Sequence, residues 1–247
     1  METISQRTEL LLGNEQTARL HQASVMVVGI GGVGSYCAES LARCGIGTLH
    51  LVDCDVISPS NLNRQIHACF DTIGKDKCTM MHERILSFRR DCQVVSHRMF
   101  YSADQNTLLF QESVDFVIDA IDTISAKLDL ITYCLAHQIP FISSMGMANR
   151  LDPTQLTICD LMKTSGDPLA KIMRNQVRKR RLKGKIPVVC SKELPFKQNQ
   201  VVNSVAKTRK EQIPPASSPF VPAAAGLACA SYAVRYLCAH GNTHDEK

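Results

Sequence analysis

One segment narrows the fold of this chain more than any other: Val27-Val28 runs directly into Gly29-Ile30-Gly31-Gly32-Val33-Gly34-Ser35. A short apolar, β-branched run over 24–30 precedes the glycines and a helical pattern over 32–43 follows them, so they occupy a strand-to-helix turn. Glycines at 29, 31, 32 and 34 let the backbone turn sharply, bring bare N–H groups close to a phosphate and pack helix on strand. The helix N-terminus adds positive potential. A second strand over 48–53 completes a βαβ unit and ends in Asp53, 19 residues after Gly34. That is the placement of a carboxylate that accepts hydrogen bonds from ribose hydroxyls. Alone, the pair also fits a nicotinamide cofactor.

The alternation continues to about residue 145. A helix over 75–90 sets Cys78, Met81, Ile85 and Phe88 at helical spacing; strands follow at 93–99, 115–118 and 140–144, with a helix over 124–137 between the last two. Such alternation predicts an α/β fold: a doubly wound, mostly parallel, Rossmann-like sheet. Past residue 150 the pattern weakens, and Asp152-Pro153, Gly166-Asp167-Pro168 and 213–222 read as turns. We therefore read 1–150 as a nucleotide-binding core and 151–247 as a C-terminal elaboration of the same domain. Residues 220–238 are mostly small and apolar but include Pro222 and Arg235. They predict a buried or interfacial helix with no stable membrane insertion. Neither a leader pattern nor a clear span is read from the sequence, so the expected location is cytoplasmic.

Charge is distributed unevenly. The chain of 247 residues carries a net charge of +5, yet residues 171–210 hold thirteen Lys or Arg against Glu193 alone, giving +12 there and −7 elsewhere. A basic block on an acidic body predicts a polyanionic partner, tRNA first, with Arg178, Lys179, Arg180 and Arg181 as its densest part. The eleven cysteines include no Cys-x-x-Cys pair, which fits reduced thiols and predicts no structural zinc.

The residues after Asp53 separate the nucleotide readings, because a triphosphate with a departing pyrophosphate needs more positive charge than a dinucleotide does. Asp55, Ser60-Asn61-Leu62-Asn63-Arg64-Gln65 and Gly74-Lys75-Asp76-Lys77 supply such a set. An Arg fork grips two phosphate oxygens and a Lys acts as a point charge on a third. With 29–35 (GIGGVGS), 53–65 (DCDVISPSNLNRQ), Lys77 and 119–122 (DAID), the chain resembles the ThiF/MoeB/HesA superfamily of ubiquitin-activating-type adenylating enzymes. The resemblance implies that Gly31, Asp53, Asn61, Arg64, Lys77 and Asp122 contact ATP and its Mg²⁺, with Asp122 at the metal. It also implies that Arg7 reaches the partner subunit's ATP in a homodimer.

The second half narrows the resemblance. Residues 160–170 (DLMKTSGDPLA), the basic run, 188–193 (VVCSKE) and 218–222 (SPFVP) look like the tRNA threonylcarbamoyladenosine dehydratase branch. That branch implies ATP-dependent activation of the threonyl carboxylate of the modified adenosine beside the anticodon, followed by ring closure with loss of water. The alternative is adenylation of the C-terminal carboxylate of a ubiquitin-like sulfur carrier, with a cysteine desulfurase or sulfur acceptor as a further partner. A nicotinamide-dependent oxidoreductase and a non-catalytic scaffold are the other readings. Lys127 reads as a helix-surface lysine ahead of one that orients the carboxylate, His67 as a packed or solvated histidine ahead of an acid or base, and Cys190 as a structural thiol ahead of a reactive one.

Overall fold

The computed structural model describes residues 3–198 and 213–240. Two short helices, α1 (Gln6–Leu12) and α2 (Asn14–Gln22), lead into β1 (Ser24–Val28), α3 (Gly34–Cys44) and β2 (Thr48–Val52). After a long connection come α4 (Lys77–Phe88), β3 (Gln93–His97), α5 (Asn106–Leu109), β4 (Phe116–Asp119), α6 (Ile124–Ala136) and β5 (Phe141–Ser144). Then β6 (Leu156–Asp160), α7 (Pro168–Lys179), β7 (Pro187–Ser191) and α8 (Phe220–His240) complete the described chain.

The strands form one sheet in the order β3-β2-β1-β4-β5-β7-β6, parallel except for β6 against β7. The doubly wound, mostly parallel sheet is thus as the periodicity predicts. β1 shows why the strands are continuous apolar runs: Val25 and Val27 enter one core with α3, α4 and α8, while Met26 and Val28 enter the other with α6 and α7. A strand covered on both faces needs no polar alternation. The chain winds outward from β1 through β2 to β3, then returns to β4 beside β1. The loops leaving β1 and β4 therefore diverge and leave a crevice at their carboxyl ends.

Capping chemistry sets the element boundaries. Asp76 accepts a hydrogen bond from Thr79 N at 2.7 Å, so α4 begins at Lys77 instead of 75. α3 stops at Gly45, whose φ of +102° suits glycine. Beyond residue 150 the structure is more regular than the sequence pattern indicates. Asp167-Pro168, read as a turn, is a helix start: the Asp167 carboxylate accepts from Ala170 N at 2.8 Å and Pro168 fills the first helical position. α8 is long and apolar enough to cross a membrane, but half of its most apolar window is buried in the fold. Gly226 lets it lie against α3; a Cβ there would stand 2.3 Å from Val33 O. Of the basic run, Lys207, Arg209 and Lys210 lie outside the described residues, as do 241–247.

Candidate active site

The crevice begins at the glycine turn. Gly29 has φ +92°, and a Cβ on it would lie 2.7 Å from Ala120 O; one on Gly34 would lie 1.7 Å from Gly29 O. These two glycines let the turn after β1 close on itself and on the segment after β4. Gly31 is different, since a Cβ there would meet nothing nearer than Gln65 Nε2 at 4.0 Å. It borders open space on the crevice side. Asp53, just past β2, holds the turn from the other side: Oδ2 accepts from Ile30 N at 2.7 Å and Oδ1 from Asp55 N at 2.8 Å. Burial raises its carboxyl from the ordinary range, against the lowering pull of Lys77.

The connection from β2 to α4 builds the facing wall. Asn61 is buried and its Oδ1 accepts from Ser58 N at 3.1 Å, which fixes the turn that carries Arg64. The Arg64 stem lies beside the glycines, its Cγ 3.5 Å from the position of a Cβ on Gly32. Its guanidinium donates to Ser60 O at 2.7 Å and Asn63 Oδ1 at 2.9 Å. Lys77, at the start of α4, is buried with Nζ 2.7 Å from Asp55 Oδ2 and 3.9 Å from Asp53 Oδ1. The structure therefore joins Asp53, Asp55 and Lys77 in one charge cluster and sets Arg64 on the glycine turn. Asp122 follows β4, exposed. Donor atoms of Asp53, Cys54 and Asp55 lie within 4.8 Å of one another, a group that the sequence reading, with Asp122 at the metal, did not single out. Arg7 lies exposed on α1, outside the elements that form the crevice.

Lys127 is a correction: it is fully buried, not a surface residue. Its Nζ donates to Asp119 Oδ2 at 2.8 Å, Ser143 Oγ at 3.1 Å and Ser144 O at 3.0 Å, and Ser143 Oγ donates to the same Asp119 oxygen at 2.6 Å. A carboxylate at the buried end of β4 requires a counter-charge, and α6 crosses the strand ends where Lys127 can provide it. Asp119 Oδ1 accepts from Ile121 N at 3.1 Å, so this network shapes the turn that presents Asp122. The hint in the sequence was an acid closing an apolar run.

His67 is buried, and burial together with Lys77 and Arg84 pushes its imidazole down to about 4, so it is neutral at neutral pH. Cys190 lies buried on β7 with Sγ 3.8 Å from Cys159 Sγ, and burial first, then Cys159, holds its thiol up at about 12. A thiol so protonated is a poor nucleophile, consistent with a structural role.

In the second half, the motifs at 165–168 and 191–193 converge on Arg150, which sequence reasoning did not single out. Its Nη2 meets Asp167 Oδ2 at 3.0 Å, with side chains 2% and 0% exposed, and its Nε donates to Glu193 O at 2.9 Å. Arg178, Lys179, Arg180 and Arg181 are all exposed at the end of α7, where cations complement the helix dipole. Arg180 also pairs with Asp129 at 2.6 Å.

A family model described as ThiF family matches residues 5–247. The tRNA threonylcarbamoyladenosine dehydratase of Bacillus subtilis is 42% identical over 236 residues, covering 94% of this chain and 93% of that protein. Among solved structures, the Escherichia coli tRNA N6-threonylcarbamoyladenosine dehydratase TcdA in complex with ATP is similar at TM-score 0.85 and 33% identity, over 95% of this chain and 93% of that one. The same enzyme in complex with AMP matches equally well. The glycine turn, the Arg64 and Lys77 wall and the sheet that carries them all lie within the matched span, and the chain belongs to the ThiF family.

Proposed function

We propose that this chain is an ATP-dependent tRNA threonylcarbamoyladenosine dehydratase. The observation that carries the reading is likeness over nearly the whole length to dehydratases of that name, one of them solved with ATP, joined to a crevice whose residues suit a triphosphate. The open space at Gly31 and the cationic Arg64 and Lys77 fit ATP. Gly29, Gly32 and Gly34 shape the phosphate turn, Asp53 takes the ribose side, Asp55 holds Lys77 on the phosphate side, and Asn61 holds the turn that carries Arg64. Asp122 is the ligand assigned to Mg²⁺.

ATP supplies the activation, because a carboxylate becomes an electrophile only when one of its oxygens is made a leaving group. Arg64 and Lys77 neutralise charge that grows on the phosphates. Lys77 is already desolvated between two carboxylates, so exchanging Asp55 for a phosphate oxygen costs little reorganisation. The substrate's own carbamoyl group closes the ring, so no nucleophile of the protein is needed; the protonated Cys190 fits that scheme.

In this reading Arg178, Lys179, Arg180 and Arg181 attract the tRNA backbone, Arg7 completes the crevice of a second copy in a homodimer, and the enzyme works in the cytoplasm. Residues 1–150 form the adenylation core, and 151–247 extend it toward the tRNA. The lesser reading keeps the adenylation chemistry but acts on a sulfur-carrier carboxylate. To decide, the protein is incubated with ATP, Mg²⁺ and tRNA bearing open threonylcarbamoyladenosine, and the nucleosides are weighed. Loss of one water, abolished in Arg64→Ala and Lys77→Ala, is expected. An unchanged nucleoside, together with pyrophosphate exchange dependent on a sulfur carrier, would overturn the reading.

A further inference from the structure

Two chain segments beyond the crevice lie side by side and leave large apolar groups in solvent. Phe196 N donates to Asn149 O at 2.8 Å, Arg150 Nε to Glu193 O at 2.9 Å, and the Glu193 carboxylate accepts from Leu151 N and Asp152 N at 2.9–3.1 Å. The buried Arg150–Asp167 pair anchors the assembly from below. On this rigid base Leu151 is 55%, Leu194 69% and Phe196 58% exposed. A fold that holds an aromatic ring in water on a well-bonded strap gains nothing from it by burial.

The same strap is tied to the nucleotide side. Asn149, at φ +59°, donates from its N to Ala216 O at 2.7 Å and accepts from Ala216 N at its Oδ1 at 3.0 Å. The next residue's carbonyl, Ser217 O, accepts from Asn63 Nδ2 at 2.9 Å, beside Arg64. This run of bonds, from Phe196 N through Asn149 and Ser217 O to Asn63, ties the strap that carries Phe196 to the neighbour of Arg64. In sequence Lys192 and Lys197 stand on either side of Phe196, both exposed, while the Glu193 carboxylate between them is taken up by backbone N–H groups.

We propose that Phe196 is a stacking platform for an unpaired base of the substrate tRNA next to the modified adenosine, with Lys192 and Lys197 holding the phosphates on either side. A base drawn into the crevice leaves its neighbour unstacked, and an exposed ring flanked by cations is the chemistry that takes up such a base. The inference rests on the tRNA reading given above and adds the contact that positions the substrate.

The test measures binding of a labelled anticodon stem-loop to the full chain over a salt series. Phe196→Ala is expected to weaken binding about tenfold or more with the salt slope unchanged, and Phe196→Trp to restore it. Lys192→Ser with Lys197→Ser is expected to reduce the slope. ATP binding and the thermal midpoint of Phe196→Ala stay at the parent values, since the ring is exposed. Parent-like stem-loop affinity in Phe196→Ala overturns the inference; if that variant instead changes the oligomeric state, the patch is a protein contact. If the parent chain binds no stem-loop, the tRNA reading itself fails and takes the inference with it.

Discussion

The two halves of the sheet solve one problem in opposite ways. At the carboxyl end of β1 the chain makes room by omitting side chains: Gly29 and Gly34 allow backbone to touch backbone, and Asp53 ties the turn by accepting from Ile30 N. At the carboxyl end of β5 it fills the space with charge: Arg150 is buried against Asp167 and bonds three backbone carbonyls, those of Gly146, Ala148 and Glu193. The first solution is cheap to keep and intolerant of any added atom. The second is tolerant of shape and intolerant of losing one partner, since a lone buried charge is costly.

The sharpest way to break this contrast lies among the glycines. Gly34→Ala puts a Cβ 1.7 Å from Gly29 O, which nothing flexible can relieve, and is expected to cost more than about 4 kcal/mol or to prevent folding. Gly31→Ala has open space and is expected to fold with nearly parental stability while losing ATP affinity. Thermal melts with and without ATP separate the two. If both variants melt alike, the division into a packing glycine and a ligand glycine is wrong. In the other half, Arg150→Met strands Asp167 and is expected to lose about 3–5 kcal/mol. Adding Asp167→Asn removes the orphan charge, keeps an acceptor for the cap on α7, and is expected to recover part of the loss. A double variant no better than the single one would show that shape, not charge, matters there.

This contrast also explains what was legible in the sequence. A glycine required by backbone contact is a residue type with few substitutes, and its neighbours lie within one βαβ unit, so the turn, Asp53 and the sheet class could be read locally. Arg64 and Lys77 stood out in the sequence because a nucleotide's phosphates demand cations, and the structure sets both on the crevice. Arg150 was not: its partners stand 17 and 43 residues away, and nothing at position 150 distinguishes a buried arginine from a surface one. Lys127 misled for the same reason: its partner Asp119 is on another element, and a lysine on a helix ordinarily lies at the surface. β6 and β7 went unread although they are as long as β1, because turn-forming residues and the basic run surround them and no strand–helix alternation frames them.

A third prediction concerns acid. The His67 imidazole, pushed down to about 4 by burial and by Lys77 and Arg84, is neutral in the folded chain, whereas in the unfolded chain it takes up a proton below about 6.5. The unfolded state therefore binds more protons between these values. The stability that His67 contributes is whole above pH 6.5 and declines as pH falls toward 4, by up to about 3 kcal/mol. His67→Phe is expected to flatten that part of the stability profile, measured by urea unfolding at pH 7 and pH 5. A parental slope in the variant would assign the acid sensitivity to other groups.

The smallest effect on stability tests the basic end of α7. Arg180 and Asp129 form an ion pair at 2.6 Å, but both side chains are solvated, 41% and 29% exposed. Such pairs contribute less than about 1 kcal/mol, and salt screens them. Arg180→Ser is therefore expected to move the unfolding free energy by only a few tenths of a kcal/mol, far less than Arg150→Met. If Arg180 meets a tRNA phosphate, the same change lowers affinity and takes about one unit from the slope of log affinity against log salt. Stability and binding thus part company at Arg180, whereas at Arg150 both fall together as the strap that carries Phe196 loosens. An Arg180→Ser protein with parental slope would leave the cation serving Asp129 alone and move the tRNA contact to Arg178, Lys179 or Arg181.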